Sequence, residues 1–163
     1  MTALLRSCRP DMNKEVTSAS RILLVDDNLH GLTARKLILA DQGFDVEVAL
    51  SGEQAWEMFS ASPYDIVVTD FRMNGMDGVE LIARIRASDS PASTILLSGF
   101  ASCLGMTERS TGADQVLSKG TREVQDLLRA VKRLTAHPPR RKGPGSQAAP
   151  RAMAFAAGAA TRD

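Results

Sequence analysis

Five short, largely apolar runs alternate with stretches of helical period along the middle of this chain. The first, Arg21 to Val25, leads through Ile22, Leu23, Leu24 and Val25 into Asp26 and Asp27, an uninterrupted aliphatic run of the kind found in strands buried on both faces. His30 to Gln42 then reads as a helix with Leu32, Leu37 and Ile38 as its apolar side, and Gly43 supplies a left-handed stop. A second strand is predicted over Asp45 to Ala49, and Ser51-Gly52 turns into a helix carrying Ala55, Trp56, Met58 and Phe59. Pro63 precedes the third strand, in which the β-branched run Ile66, Val67, Val68 leads to Asp70. Gly75 and Gly78 punctuate the next loop, and a helix from Asp77 or Gly78 to about Ala87 turns Val79, Leu81, Ile82 and Ile85 inward. Thr94 to Leu97 is the fourth strand, with Ser98 and Gly99 after it. Ala101 to Gly112 is expected to be helical by alternation, although Gly105 interrupts it and no apolar stripe marks it. Asp114 to Ser118 is the fifth strand, ending at Lys119, and Thr121 is placed to cap a last helix whose Val124, Leu127, Leu128, Val131 and Leu134 recur at helical spacing.

Strand and helix alternating five times imply an α/β domain with a parallel sheet, helices on both faces and right-handed crossovers. Residues 20–135 carry this pattern; residues 1–19 are polar and unpatterned, and 136–163 are dominated by Pro, Ala, Arg and Gly, so neither end is expected to fold. Net charge is only +1, but the tail is basic through Arg140, Arg141, Lys142, Arg151 and Arg162, which leaves the middle acidic. The small 140–142 cluster lacks interleaved aromatic residues and reads as solvated linker in preference to a nucleic-acid surface. Cys8 and Cys103 are far apart, without a metal-binding spacing, which suggests a reducing compartment. No apolar run is long enough for a signal core or a membrane span, so a cytoplasmic location is expected, and Met12 is an alternative start.

The chemistry lies at the strand ends. Asp70 alone could simply begin a turn, but Asp26 with Asp27, Asp70, Ser98 and Lys119 each follow a predicted strand, and in open parallel sheets ligands gather beyond the strand carboxyl ends. With the flavodoxin-like order 2-1-3-4-5, strands one and three are neighbours and their carboxylates meet. Three carboxylates together suit Mg²⁺, a hard cation that takes a few oxygen ligands and keeps waters. A lysine and a hydroxyl opposite suit a phosphoryl group, and a carboxylate nucleophile would form an acyl phosphate.

On these residues, together with the Met73 to Gly78 loop (MNGMDG), the chain resembles the receiver domain of bacterial response regulators, and with no second foldable stretch expected after Leu134 it reads as a stand-alone, chemotaxis-receiver-like member. The resemblance implies a (βα)5 three-layer sandwich in which Asp70 accepts a phosphoryl group from a sensor histidine kinase or a histidine phosphotransfer protein. It further implies that Asp27 and Asp70 bind Mg²⁺ directly, with the backbone carbonyl of Arg72, while Asp26 acts mostly through water. Lys119 would pair with one phosphoryl oxygen and Ser98 would swing towards another. Output would pass by contact to a downstream protein or to a second copy through the face formed by 101–134. No DNA-binding domain, membrane association or turnover of an external substrate is expected, beyond slow loss of the protein's own phosphate. A haloacid-dehalogenase-like phosphatase would need an Asp where Arg72 stands.

Two departures from the family bear on switching. Val116 occupies the position, three before Lys119, where an aromatic residue usually reports phosphorylation, and Gly120 replaces the usual Pro. An aliphatic side chain cannot make the same rotamer switch. That leaves a receiver-like interaction module, not switched by phosphate, as the competing reading, with a phosphorelay intermediate as a third. Arg72 and Phe100, two residues beyond Asp70 and Ser98, are expected to slow hydrolysis of the phosphorylated state, or else to point to solvent; Arg72 is also within reach of Asp26.

Overall fold

All five apolar runs become strands of one sheet in the computed structural model, which describes residues 19–139. The strands are β1 (Arg21–Val25), β2 (Asp45–Ala49), β3 (Ile66–Asp70), β4 (Ser93–Ser98) and β5 (Gln115–Ser118). The helices are α1 (Leu29–Asp41), α2 (Gly52–Ala61), α3 (Gly78–Ala87), α4 (Glu108–Thr111) and α5 (Glu123–Ala136). Every pairing is parallel, as the alternation implied, and the order is β2-β1-β3-β4-β5, the flavodoxin-like order expected with the receiver resemblance. The expectation that 1–19 and 136–163 carry no fold, the alternative start at Met12, Cys8 and the basic residues 140–142 fall wholly or mainly outside the described residues.

Period-two alternation along the buried strands sends successive side chains to opposite faces. Ile22, Leu24, Ile66, Val68, Ile95 and Leu97 pack with Leu32 and Leu39 of α1 and Leu127, Val131 and Leu134 of α5. Leu23, Val25 and Val67 pack on the other face with Ala55 of α2 and Leu81 and Ile85 of α3, and Ile82 joins Leu96 and Ala113 beside them. Each buried aliphatic side chain contributes on the order of 1.5 to 3 kcal/mol. No helix among the described residues is long and apolar enough to cross a membrane.

The structure corrects the sequence reading in three places. Leu37 is 65% exposed; the buried positions of α1 are Leu32, Arg35 and Leu39, so an arginine takes a place on the inward face. Helix α4 covers only Glu108–Thr111: the turn at Phe100–Leu104 is not continued past Gly105, which holds a positive φ of 58°, and helix starts at the Thr107–Ser110 capping box. Gly112, at φ 73°, then ends it. Thr121 does not cap α5: the helix begins at Glu123, whose amide is taken by the Gly120 carbonyl (3.1 Å), and Glu123 and Asp126 supply acidic charge to the first turn instead.

Candidate functional site

Register brings the polar strand ends together. Val25 pairs with Thr69, so Asp26 lies beside Asp70, and Ser98 pairs with Ser118, which sets Lys119 beyond the neighbouring strand end. Asp26, Asp27 and Asp70 each present an oxygen within 4.8 Å of the others. Lys119 Nζ sits between two of them, 2.9 Å from Asp70 Oδ1 and 3.1 Å from Asp26 Oδ2.

The three carboxylates have different surroundings. Asp26 is 2% exposed; its Oδ1 accepts the Asn28 amide (2.9 Å), while its Oδ2 takes both Lys119 and Arg35 Nη1 (2.9 Å). Burial opposes its ionisation, but these donors outweigh that and hold the carboxyl below its ordinary range. Asp70 is also buried and has fewer donors: Lys119 and the Phe71 amide (2.9 Å). Burial, reinforced by the charge of Asp26, pushes its carboxyl up despite Lys119. Lys119 is pulled the opposite way from its own burial by Asp70 and Asp26, and its ammonium is stabilised. Asp27 is exposed and makes no hydrogen bond or ion pair among the described residues, which leaves its oxygens open to an incoming ligand.

The loops around the cluster are held by close backbone packing. Gly78, at the start of α3, lies so near the end of β3 that a Cβ there would overlap the Asp70 carbonyl oxygen, and the Gly78 amide donates to Phe71 O (3.1 Å). Glu53 of α2 accepts the Met76 amide (2.7 Å) and fixes the MNGMDG loop from the other side. Ser98 is buried, and its hydroxyl accepts the Phe100 amide (3.1 Å), a local turn that a stronger acceptor could displace. Arg72 does not reach Asp26; its guanidinium lies over the Phe100 ring, 5.4 Å from the centroid. Val116 is half-buried against the cluster of Ile82, Leu96 and Ala113, alongside Phe71 and Met106, and it fills space in that layer as an ordinary core residue.

Sequence reasoning missed two residues of the site. Arg35 bridges Asp26 and Glu123, with its guanidinium 2.6 Å from Glu123 Oε1, and thereby joins α1 and α5 at the edge of the cluster. The signal was present: Arg35 stands between Leu32 and Leu39 at helical spacing, where a charged residue on an inward face needs a partner.

Three hard oxygen donors, one carboxylate open to solvent and two compensating cations make a donor set that fits a small divalent cation. The chain belongs to the response regulator receiver domain family, whose model matches residues 22–132. It is therefore a phospho-accepting receiver of the two-component kind. It is 32% identical over 131 residues to the transcriptional regulatory protein TrcR of Mycobacterium tuberculosis, covering 78% of this chain and 51% of that one. It is also 32% identical over 138 residues to the gliding motility regulatory protein of Myxococcus xanthus, covering 83% of this chain and 18% of that one. The chain thus spans about half or less of these curated relatives. Among solved structures it is similar to response regulator TrrA of Thermotoga maritima in complex with Mg²⁺–BeF, with 30% identity, a TM-score of 0.64 and coverage of 71% of this chain and 98% of that one. The chemotaxis response regulator CheY4 of Vibrio cholerae, at 24% identity and a TM-score of 0.66 over 72% of this chain and 99% of that one, shares the fold.

Proposed function

We propose that Asp70 is the phosphoacceptor, taking a phosphoryl group from the phosphohistidine of a sensor kinase or a histidine phosphotransfer protein. The observation that carries the reading is Lys119 Nζ lying 2.9 Å from Asp70 Oδ1 within a cluster of three carboxylates. In the transfer, one Asp70 oxygen forms a bond to phosphorus as the phosphorus–nitrogen bond of the donor breaks, and the imidazole keeps the electron pair and is reprotonated. Mg²⁺, held by Asp27, Asp70 and the Arg72 carbonyl with Asp26 behind it, would neutralise charge on the transferring group. Lys119 shifts from the carboxylate pair to a phosphoryl oxygen, and the Ser98 hydroxyl donates to another in place of accepting the Phe100 amide. Catalysis on this reading is positioning and electrostatics, with no further acid or base required. The likeness to TrrA, whose structure is a complex with Mg²⁺–BeF, supports a divalent cation at this acidic pocket.

The test is the intact mass of the protein after incubation with Mg²⁺ and acetyl phosphate. One added phosphoryl group is expected, lost in Asp70→Asn and lost when the metal is chelated. An adduct that persists in Asp70→Asn would overturn the assignment. A folded protein that neither binds Mg²⁺ nor takes phosphate from the donor or from a partner kinase would favour an interaction module instead.

A further inference from the structure

We propose that Arg35 is a positioning residue that competes with the divalent cation for Asp26 and passes the outcome to α5 through Glu123; this rests on reading Asp26, Asp27 and Asp70 as the magnesium site. Arg35 is 9% exposed, so its guanidinium has little water with which to replace a lost partner and must keep at least one carboxylate. It holds two. Nη1 is 2.9 Å from Asp26 Oδ2, and the Nε and Nη2 side of the fork is 2.6 Å from Glu123 Oε1.

Asp26 has no idle oxygen. Its Oδ1 receives the Asn28 amide, and its Oδ2 receives Lys119 and Arg35 together. A cation drawn to Asp26, directly or through a bound water, competes with Arg35 for the same lone pairs and repels its charge. The planar fork allows Arg35 to transfer its weight to Glu123 without leaving the site. Glu123 stands in the first turn of α5, so metal occupancy strengthens the tie between α1 and the start of that helix. In the metal-free state the guanidinium divides its interaction between pocket and helix. Neither Arg35 nor Glu123 is required to touch the phosphoryl group, and neither is a catalytic residue.

The two ends of this bridge have opposite effects on the metal. Arg35→Gln removes a positive charge from Asp26, and magnesium should bind roughly threefold to tenfold more tightly. Glu123→Gln leaves the guanidinium to Asp26 alone, and magnesium should bind roughly twofold to fivefold more weakly. The experiment is isothermal titration calorimetry with Mg²⁺ on the full chain and on Arg35→Gln, Arg35→Lys and Glu123→Gln at one pH and ionic strength. Arg35→Lys, which keeps the charge, should lie nearer the parent than Arg35→Gln does. Hydrogen exchange of amides 123–127 should slow on adding Mg²⁺ to the parent and change little in Arg35→Gln. Shifts of the same sign in Arg35→Gln and Glu123→Gln, or none in either, overturn the proposal. Should Arg35→Gln fail to fold, an unchanged or tighter constant in Glu123→Gln overturns it alone. If the parent binds no Mg²⁺ at all, the metal site itself is wrong, an outcome distinct from a parent that binds normally with indifferent variants.

Discussion

The guanidinium of Arg72 lies over the ring of Phe100, joining the loop after β3 to the loop after β4. The two residues thus form one unit across the two strand ends that carry Asp70 and Ser98. If that unit restricts the water that attacks the acyl phosphate, removing either half removes most of the effect. Arg72→Ala and Phe100→Ala should each speed phosphate loss roughly twofold to fivefold, the range that an exposed cation–π contact of about 0.5 to 1 kcal/mol can move. The double variant should be little faster than the singles. Time courses of phosphate release from protein loaded with acetyl phosphate decide this, and additive effects would mean that the residues act separately.

Gly78 offers a test of shape. A methyl group there meets the Asp70 carbonyl, which belongs to backbone held by the sheet and cannot yield as a side chain would. Gly78→Ala should lower stability by about 1 to 3 kcal/mol, the usual cost of an overpacked contact, and should displace α3 from the end of β3. Urea unfolding measures the first effect, and the yield of phosphorylated protein under saturating Mg²⁺ the second. Gly99→Ala, with nothing within 4 Å of the added atom, is the control.

Lys119 compensates two carboxylates at once. In Lys119→Ala the cluster keeps Arg35 as its only basic partner among the described residues. The metal-free variant should melt at a lower temperature than the parent, and Mg²⁺ should recover more of that temperature than it adds to the parent. Phosphorylation by acetyl phosphate should slow by roughly 10² to 10³, as on losing one donor to a developing charge. Equal responses to Mg²⁺ in parent and variant would contradict the electrostatic role.

Tyr64 gives a pH dependence that is free of the metal site. Burial first, and then the hydrogen bond its hydroxyl donates to Glu47 Oε2 (2.8 Å), push the phenol up to about 12. The folded state therefore holds this proton more tightly than the unfolded chain, whose phenol titrates near 10. The stability that goes with it is complete below pH 10 and is lost as pH rises from about 10 to about 12. The chain has one tyrosine, so phenolate absorbance reads this group alone. About a tenth should be ionised at pH 11 while the protein stays folded, against most of it in urea. Glu47→Gln should move the folded titration down.

Most of the architecture was legible because the strands are buried on both faces and announce themselves as aliphatic runs, and because Asp26, Asp27, Asp70, Ser98 and Lys119 sit where those runs stop. Other features depend on partners distant in sequence. Whether Ala101 to Gly112 would coil or turn was set by Gly105 and by a capping box four residues long, against a weak helical alternation. Arg35 carries little signal in the sequence because its partners lie 9 and 88 residues away, and only the folded α1 and α5 bring them to it. Leu37 is inward-facing by hydrophobicity alone, but helix phase, fixed by Leu32 and Leu39, turns it to solvent.

The helices on the two sides of the sheet meet the acidic cluster at different residues and through different physics, at the Asp26 carboxylate on one side and the Asp70 backbone on the other. On the α1 and α5 side the contact is ionic, through Arg35 and Glu123; it is too buried for salt to screen strongly, and any neutralising substitution weakens it. On the α2 and α3 side it is steric, through Gly78 against the Asp70 carbonyl, and it is indifferent to charge but intolerant of a single added carbon. Variation between otherwise similar sequences should therefore divide the same way, with changes on one side tuning how strongly the pocket holds an ion and changes on the other deciding whether the acceptor is presented at all.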